Sequence, residues 1–228
     1  MLDAKGLTKS FPGPEPIDVL RGVDLNLEAG ETVAVMGPSG SGKSTLLNLL
    51  GTLDQPDGGS LKLAGQDVLK MSRNEVAYVR AKRIGFVFQM HHLLPQCTVW
   101  ENIWLPVLAA PTSSPRNVLE KRAVDLIGRV GLGTRRTAFP SQLSAGQQQR
   151  VAIVRALINS PGLVLADEPT GALDRVTAAE VMDVLLTLAR AEGVALVVAT
   201  HDEVLAQRLD RLLVLNEGLL VVPSGVNG

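Results

Sequence analysis

Gly37-Pro38-Ser39-Gly40-Ser41-Gly42-Lys43-Ser44-Thr45 carries, in order, the residue types that a phosphate chain needs. Gly37, Gly40 and Gly42 let the backbone fold tightly enough for its N–H groups to face an anion. A helix starting near Lys43 adds the partial positive charge of its N-terminus. Lys43 can bridge the β- and γ-phosphates of a nucleoside triphosphate, and the Ser44 hydroxyl can ligate Mg²⁺. Further along, Leu163-Val164-Leu165-Ala166 runs straight into Asp167-Glu168. A carboxylate at the end of a buried strand can hold Mg²⁺ through water, a part that falls to Asp167. Glu168, one residue on, projects differently and could polarise an attacking water. Together the two segments describe a nucleoside triphosphate site.

Strands and helices must bring those segments together. Val19, Val23, Leu25 and Leu27 share one parity, the period of a half-buried strand, and the first thirty residues read as strands. Pro12 to Pro16 holds three prolines and a glycine and is a loop. Thr32 to Met36 is a short apolar strand leading into the glycine-rich segment, and Leu46, Leu47, Leu49 and Leu50 give the following helix a wide apolar face. Ser60 to Leu63 and Ile84 to Phe88 read as further strands. From Gln89 to Ser160 the pattern is mostly helical, with Leu119, Ala123, Leu126, Ile127 and Val130 on one helix face and a second helix from about Ser144 to Ile158. Strands return at Leu163 to Ala166 and Val194 to Ala199, with the helix Ala178 to Ala189 between them and a final hairpin at Leu212 to Leu215 and Leu219 to Val222. Strand–helix alternation at both ends with helices inserted between them predicts an α/β core plus a helical subdomain.

Composition narrows the class. Lys and Arg number 22 against 23 Asp and Glu, and aromatics are 3%, so neither a basic stripe nor a base-stacking platform for nucleic acid is present. Cys97 is the single cysteine and can close no intrachain disulfide. No signal peptide is evident, and no apolar run reaches the ~18 residues of a membrane span. The uncharged stretch Asn102 to Pro115 contains Pro106, Pro111 and Pro115 and cannot span as a regular helix. The expectation is a soluble cytosolic chain, one that could still dock on a membrane protein.

Leu143-Ser144-Ala145-Gly146-Gln147, followed by Gln148-Gln149-Arg150-Val151-Ala152, resembles the signature sequence of ATP-binding-cassette ATPases, and stands where that family places it, ahead of Asp167-Glu168. The resemblance covers essentially the whole chain. It implies a phosphate-loop NTPase core with an antiparallel β subdomain and an inserted helical subdomain at roughly 90–160, in one cassette of residues 1–228. Gln89 looks like the glutamine that contacts Mg²⁺ and links core to helices. Ala172-Leu173-Asp174 looks like the loop that crosses to the opposing subunit, and His201 like the histidine that reaches the γ-phosphate. Phe11 stands where the family stacks an aromatic on adenine. Ala145 replaces the first of two successive signature glycines; alanine disfavours positive φ, so some loss of loop freedom is expected there.

In that family each ATP is sandwiched between the phosphate loop of one subunit and the signature of another. Ser144, Gly146 and Gln147 would then serve the nucleotide held by Lys43 of a second copy, giving an ATP-dependent homodimer, with Glu168 activating water and His201 stabilising the transition state. Phe86 to Pro95, Glu101-Asn102-Ile103 and Gly171-Ala172-Leu173-Asp174 resemble the lipoprotein-release, macrolide-export and cell-division branch, and His91-His92-Leu93-Leu94-Pro95 leans toward lipoprotein release. The resemblance implies integral-membrane permease partners on the cytoplasmic face of the inner membrane, with ATP and Mg²⁺ as cofactors. The alternative is a cell-division or cell-wall regulatory ATPase with no cargo; a non-transport cassette ATPase is the third reading. Trp100 and Trp104 either anchor the permease or pack inside the helices, and His91 and His92 fit a polar rim around the permease groove.

Overall fold

In a computed structural model the chain is described over residues 1–110 and 114–223. Pro111 lies outside the described residues. The first two strands, β1 (Leu2–Phe11) and β2 (Ile17–Leu27), form an antiparallel pair turned by the proline-rich segment, with Phe11 opposite Ile17. β4 (Gly58–Leu63) and β5 (Gln66–Asp67) extend this sheet in the order β2-β1-β4-β5. A second sheet runs β10-β9-β3-β8-β7-β6, from β3 (Thr32–Met36), β6 (Ile84–Phe88), β7 (Leu163–Asp167), β8 (Ala195–Ala199), β9 (Arg211–Asn216) and β10 (Leu219–Val221). In it β6, β7, β8, β3 and β9 are parallel neighbours, and only β10 is antiparallel.

Because β3, β7 and β8 are covered on both faces, they are nearly continuous apolar runs, and alternate residues enter two different cores. Val33, Val35, Leu163, Leu165, Val197 and Ala199 pack with α1 (Lys43–Leu50) and the antiparallel sheet. Ala34, Val164, Ala166, Leu196 and Val198 face α5 (Ala145–Leu157) and α6 (Arg175–Ala191). Each fully buried leucine or valine contributes about 1.5–3 kcal/mol. The helices between β6 and β7 are α3 (Val99–Ala109), α4 (Arg116–Arg129) and α5. α7 (Glu203–Ala206) is a single turn.

Two departures from the sequence reading have local causes. α2 (Arg73–Arg83) gave no periodic signal because Arg-Asn-Glu-Val-Ala-Tyr-Val-Arg-Ala-Lys-Arg buries only Val79. Its start is instead written in a capping box, Ser72 accepting from the Glu75 N–H while Glu75 accepts from that of Ser72. α6 begins three residues before the expected Ala178, since the Asp174 side chain accepts from the Val176 and Thr177 N–H groups and caps the helix. Trp100 and Trp104 stack at 5.6 Å between centroids, half-buried against the α3–α5 core, which is the inside-packing alternative.

Candidate active site

Ligands of open α/β sheets bind beyond the carboxyl ends of the parallel strands. Here four neighbouring strands each deliver one element of the predicted chemistry to that edge. β3 leads into the phosphate loop, β6 into Gln89, β7 into Asp167 and Glu168, and β8 into His201. Their side chains line one cleft of about 580 Å³, together with Ser39, Gly40, Gly42, Lys43, Ser44, Thr45 and Val19. Val19 had been read only as a strand residue. It belongs to the site because β2 crosses the loop: a Cβ on Gly42, whose φ is +101°, would meet Val19 Cγ1 at 2.7 Å.

Lys43 is 8% exposed, and its ammonium donates to the carbonyls of Gly37 (2.8 Å) and Pro38 (3.1 Å). The amine is thereby held over the loop whose N–H groups would face a phosphate. Ser41 Oγ is buried with no hydrogen-bond partner among the described residues, an orphaned polar atom within the anion-binding segment.

Asp167 is half-buried, and its Oδ1 is likewise without a partner. Burial holds this carboxyl above its ordinary range, and the neighbouring Glu168 charge adds to the rise; the Ser44 hydroxyl and the Lys43 ammonium pull it down. A buried carboxylate oxygen, a serine hydroxyl and the Gln89 amide are the oxygen donors that a hard divalent cation takes. The residues present fit such an ion.

Glu168 occupies the left-handed region at φ +45°, a conformation costing a non-glycine residue about 1–3 kcal/mol. Its N–H donates to the Ala199 carbonyl at 2.9 Å, and its carbonyl accepts from the Gly171 N–H at 3.0 Å. Its carboxylate Oε2 lies 2.9 Å from His201 Nδ1. The imidazole is otherwise open to solvent. A carboxylate paired with an imidazole in a phosphate cleft can take a proton from water and steady developing negative charge.

The remaining predicted residues lie outside this cleft. Phe11 ends β1, 41% exposed, with Lys9 Nζ 5.6 Å from its ring centroid. Ser144 caps α5: its Oγ accepts from the Gln147 N–H at 3.3 Å, while Gln147 Oε1 accepts from the Ser144 N–H at 3.0 Å. Ala145 is the first helical residue and has no positive φ, so the expected loss of loop freedom does not arise. The steric demand falls on Gly146, where an added Cβ would overlap Thr177 Cγ2 of α6. Thr177 in turn donates to Asp174 at 2.6 Å, so the signature and the Asp174 loop form one packed unit.

Two residues that the sequence reading passed over hold the segment after β6. Gln149 Nε2 donates to the Phe88 carbonyl at 2.9 Å, immediately before Gln89. Arg155 donates to the carbonyls of His91 (2.6 Å) and His92 (2.7 Å), both left-handed. Side chains bonded to main chain some sixty positions away leave no spacing to read.

Residues 20–171 match the ABC transporter family. The lipoprotein-releasing system ATP-binding protein LolD of Pseudomonas syringae pv. tomato is 48% identical over 97% of both chains. The macrolide export ATP-binding/permease protein MacB of Agrobacterium fabrum is 45% identical over 97% of this chain but 34% of that protein. Among solved structures, the dimeric post-hydrolysis state of the ATP-binding cassette MJ0796 bound to ADP and Pi superposes over the whole of both chains, with a TM-score of 0.88 at 39% identity. A phosphate loop, two strand-end carboxylates and a signature helix on this fold, with relatives of that closeness, make the chain an ATPase of the ABC transporter family.

Proposed function

We propose that this chain is the ATP-hydrolysing subunit of a lipoprotein-releasing permease complex, acting as an ATP-closed homodimer on the cytoplasmic face of the plasma membrane. The observation that carries the reading is the convergence of Lys43, Gln89, Asp167, Glu168 and His201 in one cleft, in a chain matched along 97% of its length by lipoprotein-releasing ATP-binding proteins. Among the described residues no helix is long and apolar enough to cross a membrane.

Gly37 to Thr45 cradle the phosphates, with Lys43 on the β- and γ-groups. Ser44, Asp167 and Gln89 hold Mg²⁺, which supplies charge neutralisation of the phosphates. Glu168 accepts the proton of the attacking water, and His201 steadies the γ-phosphoryl charge. Phe11 stacks on the base. Ser144, Gly146 and Gln147 close over the γ-phosphate of a second copy, with Asp174 beside them, a reading supported by the outward-facing α5 N-terminus and by the dimeric MJ0796 relative. Helices α3 to α5 form the helical subdomain of this single cassette, and the permease docks beside Gln89 where α2, α3 and α5 meet.

Tagged Glu168→Gln, expressed in the native host and recovered from solubilised membranes with Mg-ATP, tests the whole reading. A co-purifying permease with a large periplasmic domain, whose depletion strands lipoproteins in the inner membrane, supports it. A partner whose loss blocks division or cell-wall hydrolysis with lipoproteins normally sorted replaces the cargo assignment, and ribosomal or repair proteins alone overturn the transport role.

A further inference from the structure

Phe11 has to hold its ring in place without a pocket around it. It stands outside both apolar cores, and Ile17, opposite it on β2, is 65% exposed. Among the described residues the contact on the ring is the Lys9 ammonium, two positions earlier on the same strand. Lys9 is no loose surface cation. Its side chain is 12% exposed, and its ammonium donates to the Gln55 carbonyl at 2.7 Å and pairs with Asp54 at 2.9 Å and Asp57 at 4.0 Å. The hydrogen bond from Lys9 is the main cause holding the Asp54 carboxyl below its ordinary range. Asp57 is tied to β1 as well, its N–H donating to the Thr8 carbonyl at 2.9 Å and its Oδ2 accepting from the Ser10 N–H at 2.6 Å. The N–H groups of Leu53 and Asp54 reach back to the Asn48 carbonyl of α1, the helix that starts at Lys43. The ammonium is thus fixed between the loop after α1 and the Phe11 ring.

An ion pair that only stapled the loop to the strand would add little stability at a surface, and it would not need a ring beside the cation. A cation over one face of an aromatic ring is attracted by the negative quadrupole of that face. The attraction has two consequences for the opposite face. It restrains the ring before a ligand arrives, so less motion is lost on binding. It also draws π density toward the cation, so the far face repels an electron-rich base less. A phenylalanine has no hydroxyl with which to anchor itself, which leaves that task to the cation. We propose that Lys9 is a positioning residue for the nucleotide base: anchored on Asp54, Gln55 and Asp57, its ammonium fixes the Phe11 ring so that the opposite face takes the purine of ATP. The inference rests on the reading of Phe11 as the base platform and deepens it by naming what holds the platform.

The test compares two ligands on the purified full-length chain. Mg-ATP carries a base, and inorganic tripolyphosphate with Mg²⁺ does not. Titration calorimetry gives Kd for each in the wild type, Lys9→Met, Lys9→Arg, Phe11→Leu and the Lys9→Met/Phe11→Leu double variant. Lys9→Met keeps an apolar stem of similar length and removes the charge. It should weaken ATP about fivefold and leave tripolyphosphate at its wild-type affinity. Lys9→Arg keeps a cation and should hold most of the ATP affinity. In the Phe11→Leu chain, the Lys9 substitution should add no further loss. Thermal melting checks that each variant folds; if Lys9→Met does not, Lys9→Gln carries the same comparison. Unchanged ATP affinity in Lys9→Met, an equal loss for both ligands, or losses that add in the double variant each overturn the positioning role. The base platform survives those results provided that Phe11→Leu alone weakens ATP and not tripolyphosphate. Wild-type ATP affinity in Phe11→Leu overturns the platform reading and the role of Lys9 with it.

Discussion

The cleft at the sheet edge and the signature face of α5 and α6 use the same residue types in opposite ways. In the cleft, polar groups are left unspent: among the described residues Ser41 Oγ and Asp167 Oδ1 are buried without partners, and Glu168 is held in a strained backbone conformation. On the signature face every named side chain is already answered. Ser144 and Gln147 cap one another, Asp174 caps α6 and accepts from Thr177, and Gly146 lies flat against Thr177. A buried polar group without a partner needs a ligand, ion or water to answer it, and in the cleft two such groups sit in the phosphate loop and at the end of β7. Satisfied groups around an exposed helix N-terminus make a preformed surface, the face that the proposed homodimer would set against a second copy's nucleotide.

The contrast breaks most sharply at Glu168. Glu168→Gln keeps the shape of the cleft but removes the proton acceptor, so turnover should fall about 10²–10⁴-fold while ATP affinity stays near wild type. Phosphate release and isothermal titration measure the two quantities, and unimpaired turnover would remove Glu168 from the chemistry. Lys43→Ala acts on binding instead. Each charge-assisted hydrogen bond to phosphate is worth ~1.5–3 kcal/mol, so ATP affinity should drop roughly a hundredfold. Equal affinity in a fluorescent-nucleotide titration would sink the phosphate-loop role of the lysine.

Much of the cleft was legible because its signals are local. The glycine spacing of residues 37–42, the apolar run of β7 ending in Asp167-Glu168 and the apolar runs of β3 and β8 are all contained in a few consecutive positions. Sheet order then brings Gln89 and His201 to the same edge. What could not be read depends on distant main chain. The left-handed turn at Glu168 is held by the Ala199 carbonyl, and the grip of Gln149 and Arg155 on Phe88, His91 and His92 joins carbonyls to a helix some sixty residues away. The Ala145 expectation went astray for a related reason. A helix was expected from about Ser144, yet Ala145 was weighed as if it needed a glycine's freedom; it is the first helical residue with no positive φ, and the glycine that matters is the one facing α6.

That packing gives the signature face its own test, smaller in effect. A methyl group on Gly146 collides with Thr177 Cγ2, and overpacking of this kind costs about 1–3 kcal/mol, a fall of several degrees in Tm for a chain this size. Thr177→Ser removes the colliding methyl but keeps the hydroxyl that bonds Asp174, so the double variant should recover most of the loss. ATP binding by the single chain should be untouched in both, because no cleft residue moves. A Gly146→Ala chain as stable as wild type would show that α5 and α6 are not tightly joined there, and the preformed surface would lose its support.

The finest distinction lies between two aspartates. Asp167 is held above the ordinary carboxylate value of 3.8, chiefly by burial, whereas Asp174 is held below it, chiefly by the Thr177 hydroxyl and then the Thr177 N–H. The linkage signs are therefore opposite. Ionised Asp167 subtracts stability above its unfolded value, and the deficit closes as the pH falls through its raised folded value. Ionised Asp174 adds stability above its unfolded value, and the gain is lost as the pH falls toward its depressed folded value. Relative to wild type, Asp167→Asn should be more stable near pH 7 and converge as acid is added. Asp174→Asn should be less stable near pH 7 and converge from the other side. Chemical denaturation between pH 7 and pH 3 follows both differences, and carboxyl-carbon NMR should show Asp167 protonating first as the pH is lowered. If Asp174 protonates first, the cleft is not the region of unspent charge, and the division between a ligand-ready edge and a self-satisfied face fails at its smallest scale.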